Sequence, residues 1–165
     1  MPGDLRFELL PTDAAPVPLA AEISALQAEL IARGYTSTLN HYQQATAAFG
    51  QHNYEAANSQ LRTTLEDLVV HIAEENTNFV KPASAGGGGQ AVQRLKATER
   101  LADNDGGDLL EALWSMSHTK GSHPGRSDAD ETRFRMQVIT AIVRLLLHRF
   151  PRGTAPPGRR RRPPA

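Results

Sequence analysis

Residues 114–131, WSMSHTKGSHPGRSDADE, contain the side chains of this chain that are best suited to chemistry. They include two imidazoles and two cations separated by glycines: His118, Lys120, Gly121, His123, Gly125 and Arg126. Imidazoles exchange protons near neutral pH, so His118 and His123 can act as general acid and base on a ribose 2′-hydroxyl and its leaving oxygen. Lys120 or Arg126 would stabilise charge on the phosphorane-like transition state. The residue types therefore predict a candidate site for RNA cleavage that needs no metal ion.

Two other interpretations of this segment stay open. Gly121, Gly125 and Arg126, together with the start of the following helix, can bind a phosphate through backbone N–H groups and charge, without any chemistry. Alternatively, residues 123–125 form a turn, and the imidazoles donate hydrogen bonds to neighbouring carbonyls. In that case the segment has a purely structural role.

Composition sets limits on the class of protein. The chain has 165 residues, 18 basic and 18 acidic, and no cysteine, which excludes disulfides and thiolate metal sites. We expect no cofactor and no metal, because His118 and His123 lack an obvious third ligand, although Asp128 or Asp130 could supply one. No apolar run is long enough to cross a membrane, and the N-terminal residues do not resemble a signal peptide. We therefore expect a soluble, cytoplasmic protein with one hydrophobic core.

Apolar periodicity predicts six helices and no convincing pair of strands. The first runs from Pro18 to Arg33, and the fourth from Gln90 to Ala102. Polar residues at the expected starts predict N-caps for four helices: Ser37, Asn53, Asp108, and Ser127 or Asp128. The fold class is therefore all-α, a single helical bundle.

The last helix should be the most buried one. Its polar side chains keep to one narrow stripe, three or four residues apart: Arg133, Gln137, Thr140, Arg144 and His148. We expect it to pack on the third helix through Leu61, Leu65 and Leu68. On another face of that third helix, Arg62 and Glu66 lie one turn apart, which predicts a solvated ion pair.

Three segments are expected to lie outside the bundle, which covers residues 18–150. Residues 1–17 form an N-terminal arm in which the alternating residues 6–9 favour an extended segment. Residues 82–90 contain four consecutive glycines and should form a flexible loop. Residues 151–165 form a disordered Arg/Pro-rich tail with five arginines and no acid, so the rest of the chain has 13 basic and 18 acidic residues, a net charge of −5. The tail can contact RNA or DNA phosphates or simply aid solubility.

Two stretches of the chain resemble one family. ANSQLRTTLEDLVVHIAEE, residues 57–75, is similar to the helix of abortive-infection C-terminal-type domains that includes an Arg-x-x-Leu-Glu pattern. SHTKGSHPG, residues 117–125, resembles the Arg-Asn-x-x-Gly-x-x-His-Gly loop before their last helix. Those domains belong to the HEPN superfamily. The resemblance implies an up-down helical bundle, commonly a dimer, and in many members a metal-independent ribonuclease of phage defence or toxin–antitoxin systems.

The chain departs from the family signature, in which an arginine precedes a histidine by four to six residues. His123 can take the place of the histidine, but Ser117 and His118 stand where the arginine belongs. Arginine is permanently charged and presents several N–H donors in one plane, whereas histidine has neither property. Arg62 could replace the missing arginine if the third helix borders the loop.

The resemblance and its departure lead to two expectations about function. The first is a catalytically silent HEPN-like module of bacterial defence that forms a homodimer or docks on a larger defence-system protein. The second is a metal-independent endoribonuclease that acts on RNA with His118 and His123, assisted by Lys120 and Arg62.

Overall fold

The computed structural model describes residues 18–83, 87–101, 106–119 and 128–152. These residues form six α-helices and one short 3₁₀ helix, with no strand among them: α1 (Leu19–Arg33), α2 (Thr36–Gly50), α3 (Tyr54–Asn76), α4 (Gly88–Lys96), the 3₁₀ helix (Glu99–Leu101), α5 (Gly107–Thr119) and α6 (Ala129–Arg149). The prediction of an all-α bundle of about six helices is confirmed. None of these helices is long and apolar enough to span a bilayer.

The central helix of the bundle is α3 rather than α6. Helix α3 packs against α2, α4, α5 and α6, whereas α6 lies mainly against α3 and α1. The predicted packing of α6 on α3 is confirmed, and Leu61, Leu65 and Leu68 are all buried. The expectation that α6 is the most enclosed helix is wrong, because one face of it remains open and Phe134 is 51% exposed there.

Local sequence signals place some helix starts correctly. The Asn53 side chain accepts a hydrogen bond from Ala56 N at the start of α3, and Asp128 accepts one from Glu131 N at the start of α6. Each cap satisfies an N–H group that the helix itself leaves unpaired. The α1 terminus is also as expected, since Gly34 adopts a left-handed conformation with φ 71°.

The other two predicted caps are wrong. Helix α2 begins at Thr36, so Ser37 lies in its first turn, where its hydroxyl donates to Asp67 on α3 at 2.8 Å. Helix α5 begins at Gly107, and Asp108 accepts a hydrogen bond from Lys96 Nζ on α4 at 2.9 Å. In both cases a partner on another helix takes the side chain that the local pattern assigned to a cap.

The glycine run is only partly the flexible loop that its composition predicts. Gly88 and Gly89 are the first residues of α4, and Gly87 before them has φ +68°. Gly88 is buried under the indole of Trp114: an added Cβ would overlap the ring, with two ring carbons 2.9 Å away and Cη2 nearer still. Close packing therefore requires glycine at position 88. Residues 84–86 lie outside the described residues.

One member of the polar stripe on α6 faces the core. Thr140 is buried and donates its hydroxyl hydrogen to Met136 O at 2.6 Å, so the Tyr42 hydroxyl, also 2.6 Å away, donates to Thr140. Burial raises the pKa of Tyr42 to about 12. Thr140 thus joins α6 to α2 and is not part of a solvated face.

The folded part of the chain continues past residue 150, into the segment predicted as a disordered tail. The Arg152 guanidinium donates to Glu75 Oε1 from Nε at 3.0 Å and from Nη2 at 2.6 Å, and to the Arg33 carbonyl. It also lies 4.0 Å from the centroid of the Tyr35 ring. These contacts form a C-terminal clamp that fixes the end of α6 to α3 and to the α1–α2 junction. Residues 153–165 lie outside the described part.

Candidate functional site

The structure describes two of the seven predicted site residues. His118 and Arg62 are among the described residues, whereas the other five fall outside them: Lys120, Gly121, His123, Gly125 and Arg126. His118 is not a loop residue, as the sequence suggested, because α5 continues to Thr119. The segment between α5 and the Asp128 cap of α6 is therefore residues 120–127, and His118 lies on the helix that precedes it.

The imidazole of His118 has a close neighbour on three sides. Its Nδ1 lies 2.9 Å from the Trp114 carbonyl, which can only accept, so Nδ1 carries a proton. The ring stacks on the Trp114 indole with centroids 3.8 Å apart and an interplanar angle of 26°. On the far side, Nε2 lies 3.8 Å from Glu66 Oε2 on α3. His118 therefore links the last turn of α5 to the middle of α3.

A polar stripe on α3 contacts both helices that flank residues 120–127. Asn58, Arg62 and Glu66 follow at intervals of four residues, so they share one face, about 6 Å apart along the axis. Glu66 meets α5 at His118, and Asn58 donates from Nδ2 to Thr132 Oγ1 on α6 at 3.2 Å. Arg62 lies between these two anchors on α3.

The predicted ion pair between Arg62 and Glu66 is wrong. Glu66 faces His118 instead, and half-buried Arg62 has no hydrogen bond or ion pair with any residue in the described ranges. The helical spacing allowed the pair, but a surface pair of this kind contributes only about 0.3–0.5 kcal/mol. A tertiary partner for Glu66 readily overrides so small a preference, and Arg62 remains available to the loop or to a ligand.

Asn58 is a site residue that sequence reasoning missed. Its side chain is 8% exposed, and its Oδ1 is buried with no partner in the described part of the chain. The amide orientation is determined, because the Thr132 hydroxyl donates to Asp128 O at 2.8 Å and can only accept from Asn58. An unsatisfied buried acceptor costs about 1–3 kcal/mol. The only signal in the sequence is an asparagine next to the apolar stripe of a long helix.

The start of α6 is poorly suited to bind a phosphate, although helix N-termini generally favour anions. The Asp128 carboxylate already accepts from Glu131 N at 2.7 Å, and Asp130 and Glu131 add two negative charges in the first turn. Buried Arg135 offers no free cation, since its Nη2 donates to Glu131 at 2.7 Å. The phosphate interpretation therefore loses its support from this helix and rests on the cations of residues 120–126.

No three histidine, aspartate or glutamate side chains within the described ranges form a group that could hold a metal ion. Comparison with known proteins gives no match to a protein-family model, to a curated protein or to a solved structure. The function is consequently argued from the geometry around α3, α5 and α6.

Proposed function

We propose that the chain is a HEPN-like helical module of a bacterial defence system, of the abortive-infection or toxin type, that is catalytically silent and works by binding a partner. The partner is a second copy of the chain or a larger defence-system protein. The observation that carries this proposal is the engagement of His118 by Trp114 and Glu66.

The geometry of His118 supports a structural role. A general acid or base must bring a ring nitrogen within about 2.6–3.2 Å of the atom that gains or loses the proton. In His118 the Nδ1 proton is donated to a carbonyl of the same helix, one face lies on Trp114, and Nε2 points to Glu66. A substrate would have to displace an intramolecular contact at each of these positions.

The outer face of α5 supports partner binding. Leu109, Ala112 and Met116 follow at helical spacing; Leu109 is 52% exposed, Ala112 is exposed and Met116 is half-buried. Apolar side chains that share one exposed face are typical of interaction sites. In the homodimer that we propose, this face of α5 contacts the same face of the second copy.

Light scattering tests this interface. At tens of micromolar, a concentration at which an interface of standard size should be occupied, we expect the mass of a dimer. Leu109→Asp should give a monomer with an unchanged helical spectrum, because it places an unpaired charge in the interface. Val80→Asp is the matched control, since Val80 is 82% exposed in the segment after α3. A wild-type monomer, or equal dissociation in both variants, contradicts pairing through α5.

A second candidate is the metal-independent endoribonuclease, which the position of Arg62 favours. Arg62 lies unpaired within the described structure, between the α3 contacts of the two helices that flank the loop. In this mechanism His123 is the base, His118 its acid–base complement, Lys120 stabilises charge and Arg62 holds the phosphate. Arg62→Ala should then abolish cleavage, and Arg94→Ala, which removes an exposed arginine on α4, should not.

A further inference from the structure

The outward face of α6 leaves apolar surface uncovered next to the start of α1. Phe134, Gln137 and Ala141 share this face, and all three are exposed. A cleft of about 140 Å³ adjoins it between the two helices, lined by Leu19, Glu22, Gln137, Thr140 and Ala141. Neither α1 nor α3 covers this surface, and it is separate from the face of α5 and from the His118 cluster.

The start of α1 lies next to this face. Helix α1 starts beside the middle of α6, where Leu19 and Glu22 line the cleft. It runs toward the C-terminal end of α6, where Arg33 Nη1 donates to Leu147 O at 2.6 Å. The chain that precedes Pro18 therefore leaves the described residues on the side of the N-terminal half of α6, which carries Phe134.

The sequence of the arm suits such a surface in pattern and in length. Leu5, Phe7 and Leu9 alternate with Arg6 and Glu8, so an extended segment would present one apolar side. The eight residues between the segment and Pro18 can span up to roughly 26 Å at about 3.3 Å each, whereas an α-helix with its side chains is about 10 Å across. The segment can thus cross α6 without strain.

Charge also matches the arm to this face. Arg133, next to Phe134 and exposed, makes no ion pair within the described ranges. The first 17 residues contain Asp4, Glu8 and Asp13 against a single basic residue. A docked arm would therefore bring an acid toward a cation that is otherwise solvated.

The small extent of the surface favours a tethered occupant over a second copy. A stable bimolecular interface needs about 800 Å² and 20–30 residues from each partner. A segment linked to the same chain can occupy a smaller surface, because its effective concentration is in the millimolar range. We propose that residues 5–9 dock in extended form on the outward face of α6, with their apolar side on Phe134 and Ala141.

The absence of cysteine from the chain gives a clean test. Full-length protein with Leu9→Cys and Gln137→Cys should form an intramolecular disulfide under mild oxidation at least about tenfold faster than a Leu9→Cys and Gln90→Cys control. Gln90 is exposed on α4, which packs on α3 and α5, away from the proposed surface. Adding Phe134→Asp should bring the first rate down to the control rate.

Three results would overturn the proposal. Equal rates for the two cysteine pairs would show that the arm has no preferred position. A rate that Phe134→Asp leaves unchanged would show that this face does not hold the arm. A disulfide that forms only between chains would assign the face to a second copy.

Discussion

Trp114 packs against residues on two helices. Its indole covers Gly88 at the start of α4 and stacks on His118 at the end of α5. The sequence suggests a core position for a tryptophan at this spacing, but no local rule says which glycine it will cover. The same applies to His118, whose neighbours are set by the extra turn of α5 and by the approach of α3.

Gly88→Ala should destabilise the fold by about 1–3 kcal/mol, because its methyl group must displace the Trp114 ring. Chemical denaturation measures the change. Gly89→Ala is the matched control on the same turn, where an added Cβ would lie 3.6 Å from Trp114 Nε1, an ordinary contact distance. That variant should be neutral or slightly stabilising, since alanine restricts the unfolded chain. Equal losses of unfolding free energy in both variants would show that contact with Trp114 does not cause the destabilisation.

The errors at residue level share one physical origin. The sequence predicts a partner within the same helix for Ser37, Asp108 and Glu66, but each of them contacts a residue on another helix. Local pairs and caps contribute about 0.3–1 kcal/mol, so a tertiary contact of similar size decides the outcome. The predicted caps at Asn53 and Asp128 are confirmed, because each side chain caps its own helix in the structure.

At the scale of elements, the C-terminal clamp holds the end of α6. Burial alone would raise the pKa of Glu75, but hydrogen bonds from Arg152 and Tyr35 outweigh it and lower the pKa below its usual 4.5. Burial and the hydrogen bond to Glu75 raise the pKa of Tyr35 to about 12. The clamp thus favours a charged carboxylate and a neutral phenol.

Acid should weaken the clamp. A carboxyl group with a lowered folded-state pKa stabilises the fold above its unfolded value and loses that contribution as the pH falls. Glu75 and Arg152 are about one-third exposed, so we expect a modest contribution of about 1 kcal/mol. Thermal unfolding between neutral pH and about pH 3 should show a smaller acid-induced loss for Glu75→Gln than for wild type. Identical pH dependence in both proteins would contradict this role.

Helix α6 supplies the stability test for the core. Ile142 is 2% exposed, so Ile142→Asp places an unpaired charge in the core and should cost several kcal/mol, enough to unfold the domain. His148→Asp, at an exposed position on the same helix, should change the melting temperature little. A fully helical Ile142→Asp variant with an unchanged melting temperature would show that the packing of α6 is described wrongly.

For the whole molecule, the sequence predicts the fold class and the order of helices but not the central helix. The spacing of apolar residues and the length of each apolar pattern predict α1 to α6, because a helix that buries one face repeats apolar residues at regular intervals. The same pattern cannot say how many neighbours a helix has. Helix α6 is apolar over much of its surface yet keeps Phe134 open, whereas α3 is surrounded by four helices. The candidate site follows that arrangement, since α3 brings Asn58 to α6 and Glu66 to α5.

Cleavage of RNA by the wild-type protein tests the central claim, that the His118 cluster is structural and the domain is catalytically silent. A mixed RNA pool should remain intact after incubation in EDTA at every pH from about 5 to 9, the range in which an imidazole pair would show a bell-shaped rate profile. EDTA chelates metal ions, so contaminating metal-dependent nucleases do not contribute to the cleavage that is measured. Cleavage that persists in EDTA and falls about 10²–10⁴-fold in His123→Ala would contradict the claim and establish the ribonuclease instead.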